Sequence, residues 1–321
     1  MRLRRRRAAR RPELQRRLAR PVISVGNLSM GGTGKTPVVL HIAQWLMYRK
    51  QSPSILTRGY GRADAPDGVV DFIAFKMHDV PSEMVRIAGD EPVMLARALH
   101  GVLVCVSPDR YLAGRIAERR GCTVHILDDG FQHLELARDL DILVTTPGEI
   151  ANGRVIPFGR LREPKDAAAH ADVLVVSGAT AAEAAAEAAA LGIPRSCGSK
   201  PMLGDPRPLN GGGGVSRADA RILAVAAIGN PARFVDSLTA EGWKVADAVF
   251  YRDHHRFTSR DLRDLKQRFE RSGATAAFTT SKDAPRFELI EPASIPLYAI
   301  PLIVNFDPED LLFNVVDEVL T

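Results

Sequence analysis

Lys35 and Thr36 close the run Gly31-Gly32-Thr33-Gly34, and that run follows a short apolar stretch, Val22 to Val25. An apolar run ending at the turn signal Gly26-Asn27 reads as a buried strand. Val38 to Tyr48 reads as a helix. A glycine-rich turn between strand and helix lets successive backbone N–H groups face one anion, and the helix start adds its positive end. In that setting Ser29, Met30, Gly31, Gly32, Thr33 and Gly34 form a cradle for nucleotide phosphates. The Lys35 ammonium reaches the β- and γ-phosphates, and the Thr36 hydroxyl reaches Mg²⁺. The generic phosphate-loop pattern has glycine where this chain has Ser29. The plainer reading, a glycine turn with an incidental lysine, leaves the strand-to-helix position unexplained.

Other side chains could join such a loop. Asp128-Asp129 ends the apolar run Thr123 to Leu127, where a phosphate-loop enzyme keeps its metal-binding carboxylate. Asp90 lies in Gly89-Asp90-Glu91-Pro92. Read locally, it caps a helix whose first turn holds the proline. His254 and His255 follow Asp253 in a loop after a strand. A histidine beside a carboxylate makes a general base near neutral pH; a solvated surface pair is the alternative. Arg58, Arg62, Arg110, Arg160 and Arg162 follow strands or flank glycine turns, and guanidinium forks suit phosphate.

The elements that must hold these groups alternate. Strands are expected at Ser54–Thr57, Val69–Phe75, Gly101–Val106, Asp141–Thr145 and Val173–Ser177, with helices at Glu91–Leu99, Tyr111–Arg120 and Ala179–Leu191. The rhythm means βαβ units and a mostly parallel sheet, with ligands beyond the strands' carboxyl ends. Residues 198–217, with Gly211 to Gly214 and three prolines, read as a linker. A second α/β unit follows: strands Ile222–Ile228, Trp243–Phe250 and Ala276–Thr280, and helices Ala232–Glu241, Ser259–Ser272 (N-cap Ser259) and Pro308–Leu320. The expected organisation is a basic segment, 1–20, a phosphate-loop domain, 21–205, and a second α/β domain, 206–321. The second domain brings the histidine loop, and its last helix packs back on the first.

The net charge of +5 is uneven. Residues 1–20 hold ten arginines against one glutamate, which leaves 33 basic and 37 acidic residues elsewhere. A basic tail on an acidic body, with little aromatic interleaving, argues against a nucleic-acid binder. The tail has no apolar core of a signal peptide; it suits an anionic lipid surface, with a solvated, partly disordered leader as the alternative. Cys105, Cys122 and Cys197 form no C-x-x-C pair, so reduced thiols and no zinc are expected. No apolar run is long enough to span a bilayer.

Taken in order, these segments resemble the tetraacyldisaccharide 4′-kinase family, the lipid A kinases of Gram-negative bacteria. The resemblance rests on Val25-Gly26-Asn27-Leu28 with Gly31 to Pro37, Arg58-Gly59-Tyr60-Gly61-Arg62, Gly89-Asp90-Glu91-Pro92 and Asp128-Asp129-Gly130-Phe131-Gln132-His133. It continues through Leu161-Arg162-Glu163-Pro164, Gly229-Asn230-Pro231 with Phe234, Asp253-His254-His255 with Phe257, and Thr280 with Lys282-Asp283-Ala284. Ser29 fits that family, where serine or threonine is usual at the first loop position. The resemblance implies two α/β/α domains, the first like a phosphate-loop NTPase, with the site between them. It implies transfer of the ATP γ-phosphoryl group to the 4′-hydroxyl of a tetraacylated glucosamine disaccharide 1-phosphate, giving lipid IV-A. By position, Lys35 and Thr36 hold phosphate and Mg²⁺, and Asp128 and Asp129 serve the metal. Asp90 with His254 activates the hydroxyl, and Arg58, Arg62, Arg110 and Arg162 bind substrate. The expected place of work is the cytoplasmic face of the inner membrane, peripherally attached and with no obligate protein partner. Two departures stand out: the first segment is arginine-dense rather than apolar, which points to electrostatic attachment, and Tyr251-Arg252 replaces a proline before the Asp-His-His. The competing class is a membrane-recruited ATPase or GTPase switch. Met30 stands where partitioning ATPases carry lysine, and Ser281-Lys282-Asp283 lacks the Asn-Lys-x-Asp spacing of a GTPase.

Overall fold

Strand β1 (Val22–Gly26) lies near the middle of the larger sheet, and every one of its five residues is buried. A computed structural model describes residues 15–59, 62, 67–75, 80–81, 83–210, 213–290 and 295–320. Most of the basic segment, Tyr60 and Gly61, parts of the 63–82 loop and Gly211-Gly212 lie outside the described residues. A run such as VISVG, apolar at nearly every position, suits a parallel strand covered on both faces. The other strands of its sheet are β2 (Pro53–Thr57), β3 (Val70–Ile73), β4 (Leu103–Val106), β5 (Val124–Asp128), β6 (Leu140–Thr145), β7 (Val173–Ser177) and β8 (Arg195–Leu203). A smaller sheet holds β9 (Arg207–Pro208), β10 (Arg221–Ala226), β11 (Lys244–Phe250), β12 (Ala276–Thr280) and β13 (Leu297–Ile300), and β14 (Leu302–Asp307) returns to the large one.

The large sheet runs β14-β8-β7-β6-β1-β5-β2-β4-β3 and the small one β11-β10-β12-β13-β9. All pairings are parallel except at the edges, where β14 lies antiparallel to β8, β3 to β4, and β9 to β13. The chain builds outward from β1 through β2 and β4 on one side, then crosses to β6 on the other. The carboxyl end of β1 is therefore a topological switch point, where open α/β sheets bind ligands.

The helices are α1 (Lys35–Tyr48), α2 (Met84–Ala88), α3 (Asp90–Ala98), α4 (Arg110–Arg119), α5 (Ala181–Leu191), α6 (Pro231–Ala240), α7 (Ser259–Ser272), α8 (Ala284–Phe287) and α9 (Leu311–Glu318). Val38, Val39, Ile42 and Leu46 of α1 seal one face of the large sheet, and Leu312, Val315 and Val316 of α9 enter the same core. A second core, with Phe234, Leu238, Trp243 and Phe278, lies under the small sheet. Helix α3 lies against α8, so elements of the two sheets meet there. All three cysteines are buried and unpaired. Among the described residues no helix is long and apolar enough to cross a membrane.

Two local expectations need correction. Much of the expected 198–217 linker is strand: β8 continues to Leu203 and β9 takes Arg207–Pro208. Gly198 serves a close approach rather than a break, since a Cβ there would lie 2.1 Å from the Ala179 carbonyl oxygen. The cap of α7 is Thr258, not Ser259. Its hydroxyl accepts from the Asp261 N–H while the Asp261 carboxylate accepts from the Thr258 N–H, a reciprocal box.

Candidate active site

The phosphate loop lies between β1 and α1, and its backbone needs its glycines. Gly31 has φ +128° and Gly34 φ +90°, values that L side chains rarely adopt. Gly34 is the N-cap of α1, and no side chain accepts from that helix's first N–H groups. They are thus free to bind an anion, with the helix dipole behind them. The loop is pinned from outside. Asn27 Nδ2 donates to Thr33 Oγ1 at 3.2 Å and Gln132 Nε2 to the Asn27 carbonyl at 2.8 Å. Arg160 Nε and Nη2 both donate to the Met30 carbonyl, at 2.9 and 2.6 Å, and the Met30 N–H donates to the Arg160 carbonyl at 2.8 Å.

Beside the loop stand the two carboxylates at the end of β5. Asp128 Oδ2 accepts from Thr57 Oγ1 at 3.0 Å. Burial pushes the Asp128 carboxyl up to about 7; Glu91 and Asp129 add to this, while Lys35 and Thr57 oppose it. Asp129 takes the left-handed backbone, φ +51°, a strain that fits a position held for function. Its Oδ1 lies 3.4 Å from Lys35 Nζ, and its Oδ2 accepts from Arg162 Nη1 at 2.8 Å. Burial alone would raise Asp129, but Lys35 and Arg162 outweigh it and hold the carboxyl below its ordinary value. Neighbouring carboxyls with values pushed apart mark a site built around charge.

A second constellation joins the two sheets. Asp90 opens α3, and Gly89 is the cap position, so the local capping reading of Asp90 does not hold; no side-chain cap bond is made there. The Asp90 side chain is 4% exposed, and its Oδ2 lies 3.0 Å from Nδ1 of His254. Ordinary aspartate would not be this buried unless paired. His254 also takes left-handed backbone, φ +58°, in the loop after β11. The hydrogen bond to Asp90 raises the imidazole's pKa, against burial and the Lys282 ammonium. Burial would lift Asp90, yet His254, Arg286 and Lys282 together hold it low. The geometry thus favours a carboxylate–imidazole pair that titrates as a unit.

Three residues that sequence reasoning gave no role complete this corner. Lys282 Nζ lies 3.3 Å from His254 Nε2 and 3.1 Å from Glu91 Oε1. Arg286 is buried; its Nε is 3.4 Å from Asp90 Oδ2, its Nη1 donates to the His255 carbonyl at 2.9 Å, and its Nη2 binds Asp283. Asp283 accepts from the Ala227 N–H at 3.0 Å, and the His254 N–H donates to the Ala227 carbonyl at 3.2 Å, so both loops are tied to the end of β10. His255 turns elsewhere: its Nε2 lies 3.2 Å from Asp261 Oδ2 and its ring stacks on Tyr251 at 4.6 Å. Tyr251 therefore makes a ring contact under the loop.

The two constellations are continuous, since the charges of Glu91 and Lys35 both act on Asp128. Arg58, Arg62 and Arg110 border this region. Burial lowers the Arg110 pKa, helped by Arg58 and Arg62 and opposed by Asp128 and Asp129. Arg110 Nε and Arg62 Nη1 are buried with no hydrogen-bond acceptor among the described residues, which is costly unless an anion arrives. Arg162 is instead engaged by Asp129 and by Gln132 Oε1, the latter at 3.2 Å. The donor chemistry suits Mg²⁺: Asp128, Asp129 and Thr36 offer hard oxygens, Asp129 Oδ1 has the Lys35 ammonium at 3.4 Å and no closer donor among the described residues, and Mg²⁺ is commonly held by one or two carboxylates with waters and substrate phosphates.

The chain matches, over residues 1–321, the family profile described as Tetraacyldisaccharide-1-P 4'-kinase. Among curated proteins it is 38% identical to a tetraacyldisaccharide 4'-kinase of Pelobacter propionicus, covering 84% of this chain and 74% of that one. It is also 38% identical to one of Geobacter metallireducens, covering 95% and 90%. Among solved structures it is similar to the "apo" form of LpxK from Aquifex aeolicus in complex with ATP. That match has a TM-score of 0.73 at 28% identity and covers 96% of this chain and 90% of that one.

Proposed function

We infer the chemistry of this site from one premise: the chain belongs to the tetraacyldisaccharide-1-P 4′-kinase family. It is an ATP-dependent kinase that phosphorylates the 4′-hydroxyl of its glycolipid substrate in lipid A synthesis. Phosphoryl transfer needs little covalent help; positioning and charge neutralisation do most of it. The uncapped N–H groups of α1 and the Lys35 ammonium hold the β- and γ-phosphates. Thr36, Asp128 and Asp129 would hold Mg²⁺, which would supply neutralisation of phosphate charge and favour the ionised Asp128 that burial disfavours.

The acceptor side belongs to Asp90 and His254. The ring is the open end of the pair, 26% exposed against 4% for the carboxylate. A sugar hydroxyl arriving at Nε2 takes the place of Lys282 as the ring's partner, and the pair receives its proton as the new O–P bond forms and the bond from the γ-phosphorus to the bridging oxygen breaks, releasing ADP. Asp90 steadies the ring in either charge state. Arg58, Arg62 and Arg110 recognise anionic groups of the substrate. The chain works as two bodies, one built on the large sheet with β14 and α9 returned to it and one built on the small sheet, with the site between them. It works at the cytoplasmic face of the inner membrane, where the arginines of residues 1–20 attach it to anionic lipid.

The observation that carries this reading is the 3.0 Å contact between Asp90 and His254, made 164 positions apart in sequence and next to the phosphate loop. The test is incubation with ATP, Mg²⁺ and a tetraacylated disaccharide 1-phosphate, read by mass spectrometry. One added phosphate at the 4′ position is expected. ATP hydrolysis with no change in the lipid overturns the reading.

A further inference from the structure

Next to the phosphate loop the chain makes a small rigid turn with an apolar tip. Ile156, Pro157 and Phe158 are all exposed; Phe158 is 83% exposed and Ile156 44%. The turn is firmly built. The Ile156 N–H donates to the Leu161 carbonyl and the Leu161 N–H to the Arg154 carbonyl, both at 2.9 Å, and the Phe158 N–H donates to the Val155 carbonyl at 3.0 Å. Its base, Leu161, is buried in a core with Ile150, Leu28 and Phe131. A phenyl ring held out in water on a closed turn gains nothing for the fold.

Charge and position say what the tip meets. Exposed Arg154 and Arg160 flank it, and exposed Lys165 follows. Apolar and aromatic residues edged by arginine and lysine match the boundary between lipid headgroups and acyl chains. Ser29 pairs with Leu161, Arg160 grips the Met30 carbonyl, and Met30 is itself 54% exposed.

We propose that the Ile156–Phe158 tip inserts into the headgroup layer of an anionic phospholipid bilayer and so sets the phosphate loop at the membrane surface. The proposal rests on the reading that the substrate is a membrane glycolipid. Through Arg160 and Ser29 the tip fixes the height of the nucleotide above the bilayer. The disaccharide can then reach the loop while its acyl chains stay in the membrane.

The test uses the full chain and vesicles of phosphatidylethanolamine with phosphatidylglycerol. In Phe158→Trp the added indole should shift to the blue with vesicles and be quenched by lipids brominated near the headgroup, over the background of Trp45 and Trp243. Phe158→Asp should weaken vesicle binding by roughly tenfold or more, since burying a phenyl ring is worth about that factor. It should leave turnover of detergent-dispersed substrate unchanged. Three results overturn the proposal: vesicle affinity unchanged in Phe158→Asp, a signal from the added indole that answers to ATP without lipid, or one that answers only to substrate in micelles. Loss of turnover in the wild-type chain would instead count against the kinase reading.

Discussion

Removing either half of the Asp90–His254 pair should slow transfer by the same large factor, and removing both should cost little more. The pair makes one contact, at 3.0 Å, with the carboxylate almost wholly buried. A proton acceptor so placed is worth roughly 10²–10⁴ in rate, or about 3–5 kcal/mol of barrier. The fold should survive each change. In His254→Ala the Asp90 carboxylate keeps Arg286 at 3.4 Å, and in Asp90→Ala the guanidinium keeps Asp283. The assay is kcat/KM for Asp90→Ala, His254→Ala and the double variant, with ATP binding measured separately by calorimetry. Groups acting as a unit give non-additive losses, so the double variant should match the worse single one while ATP affinity holds. Independent losses that multiply, or an unchanged rate in both single variants, would refute the pair. His255→Ala is the control, because that ring faces Asp261 and Tyr251; it should keep the rate.

The carboxyl of Asp128, lifted by burial to about 7, makes a prediction about stability. A carboxyl whose folded pKa is raised is uncharged in both states at low pH, then costs stability as pH rises from about 4 to about 7, and the cost levels off above that. Asp128→Asn, whose amide oxygen can still accept from Thr57, should therefore stabilise the metal-free protein at pH 8, by at most about 4 kcal/mol. It should match the wild type at pH 4 and lose transfer activity. Melting curves across that range check it, and a pH-independent difference would contradict it. Arg160→Gln should raise KM for ATP several-fold with kcat largely kept, because Arg160 touches the loop's carbonyl and not the acceptor side; an equal loss in kcat alone would place it elsewhere.

What the sequence disclosed followed the range of each interaction. The phosphate loop is chemistry written in consecutive residues, so Gly31 to Thr36 could be read directly, as could the carboxylates at the end of β5. Asp90 could not be read so: its own neighbourhood, glycine before and proline after, signals a helix start, and its partner lies in the other half of the chain. Only the ordered resemblance raised the pairing. Lys282 stood in a segment that carries the resemblance yet had no role, and Arg286 stood outside every such segment, because nothing local marks a cation that serves a carboxylate on another element. Strands β8 and β14 escaped because Gly198 and Pro201 look like breakers, while their pairing depends on register between distant segments. Thr258 was legible in principle, as the Thr-x-x-Asp pattern was present.

The measurement that bears most directly on the account is a crystal structure of the chain with a non-hydrolysable ATP analogue, Mg²⁺ and the disaccharide acceptor. The β- and γ-phosphates should sit on the N–H groups that open α1, against Lys35. The 4′-hydroxyl should lie about 3 Å from the Asp90–His254 pair and in line with the γ-phosphorus. A nucleotide bound away from that loop, or an acceptor hydroxyl out of reach of both side chains, would contradict it.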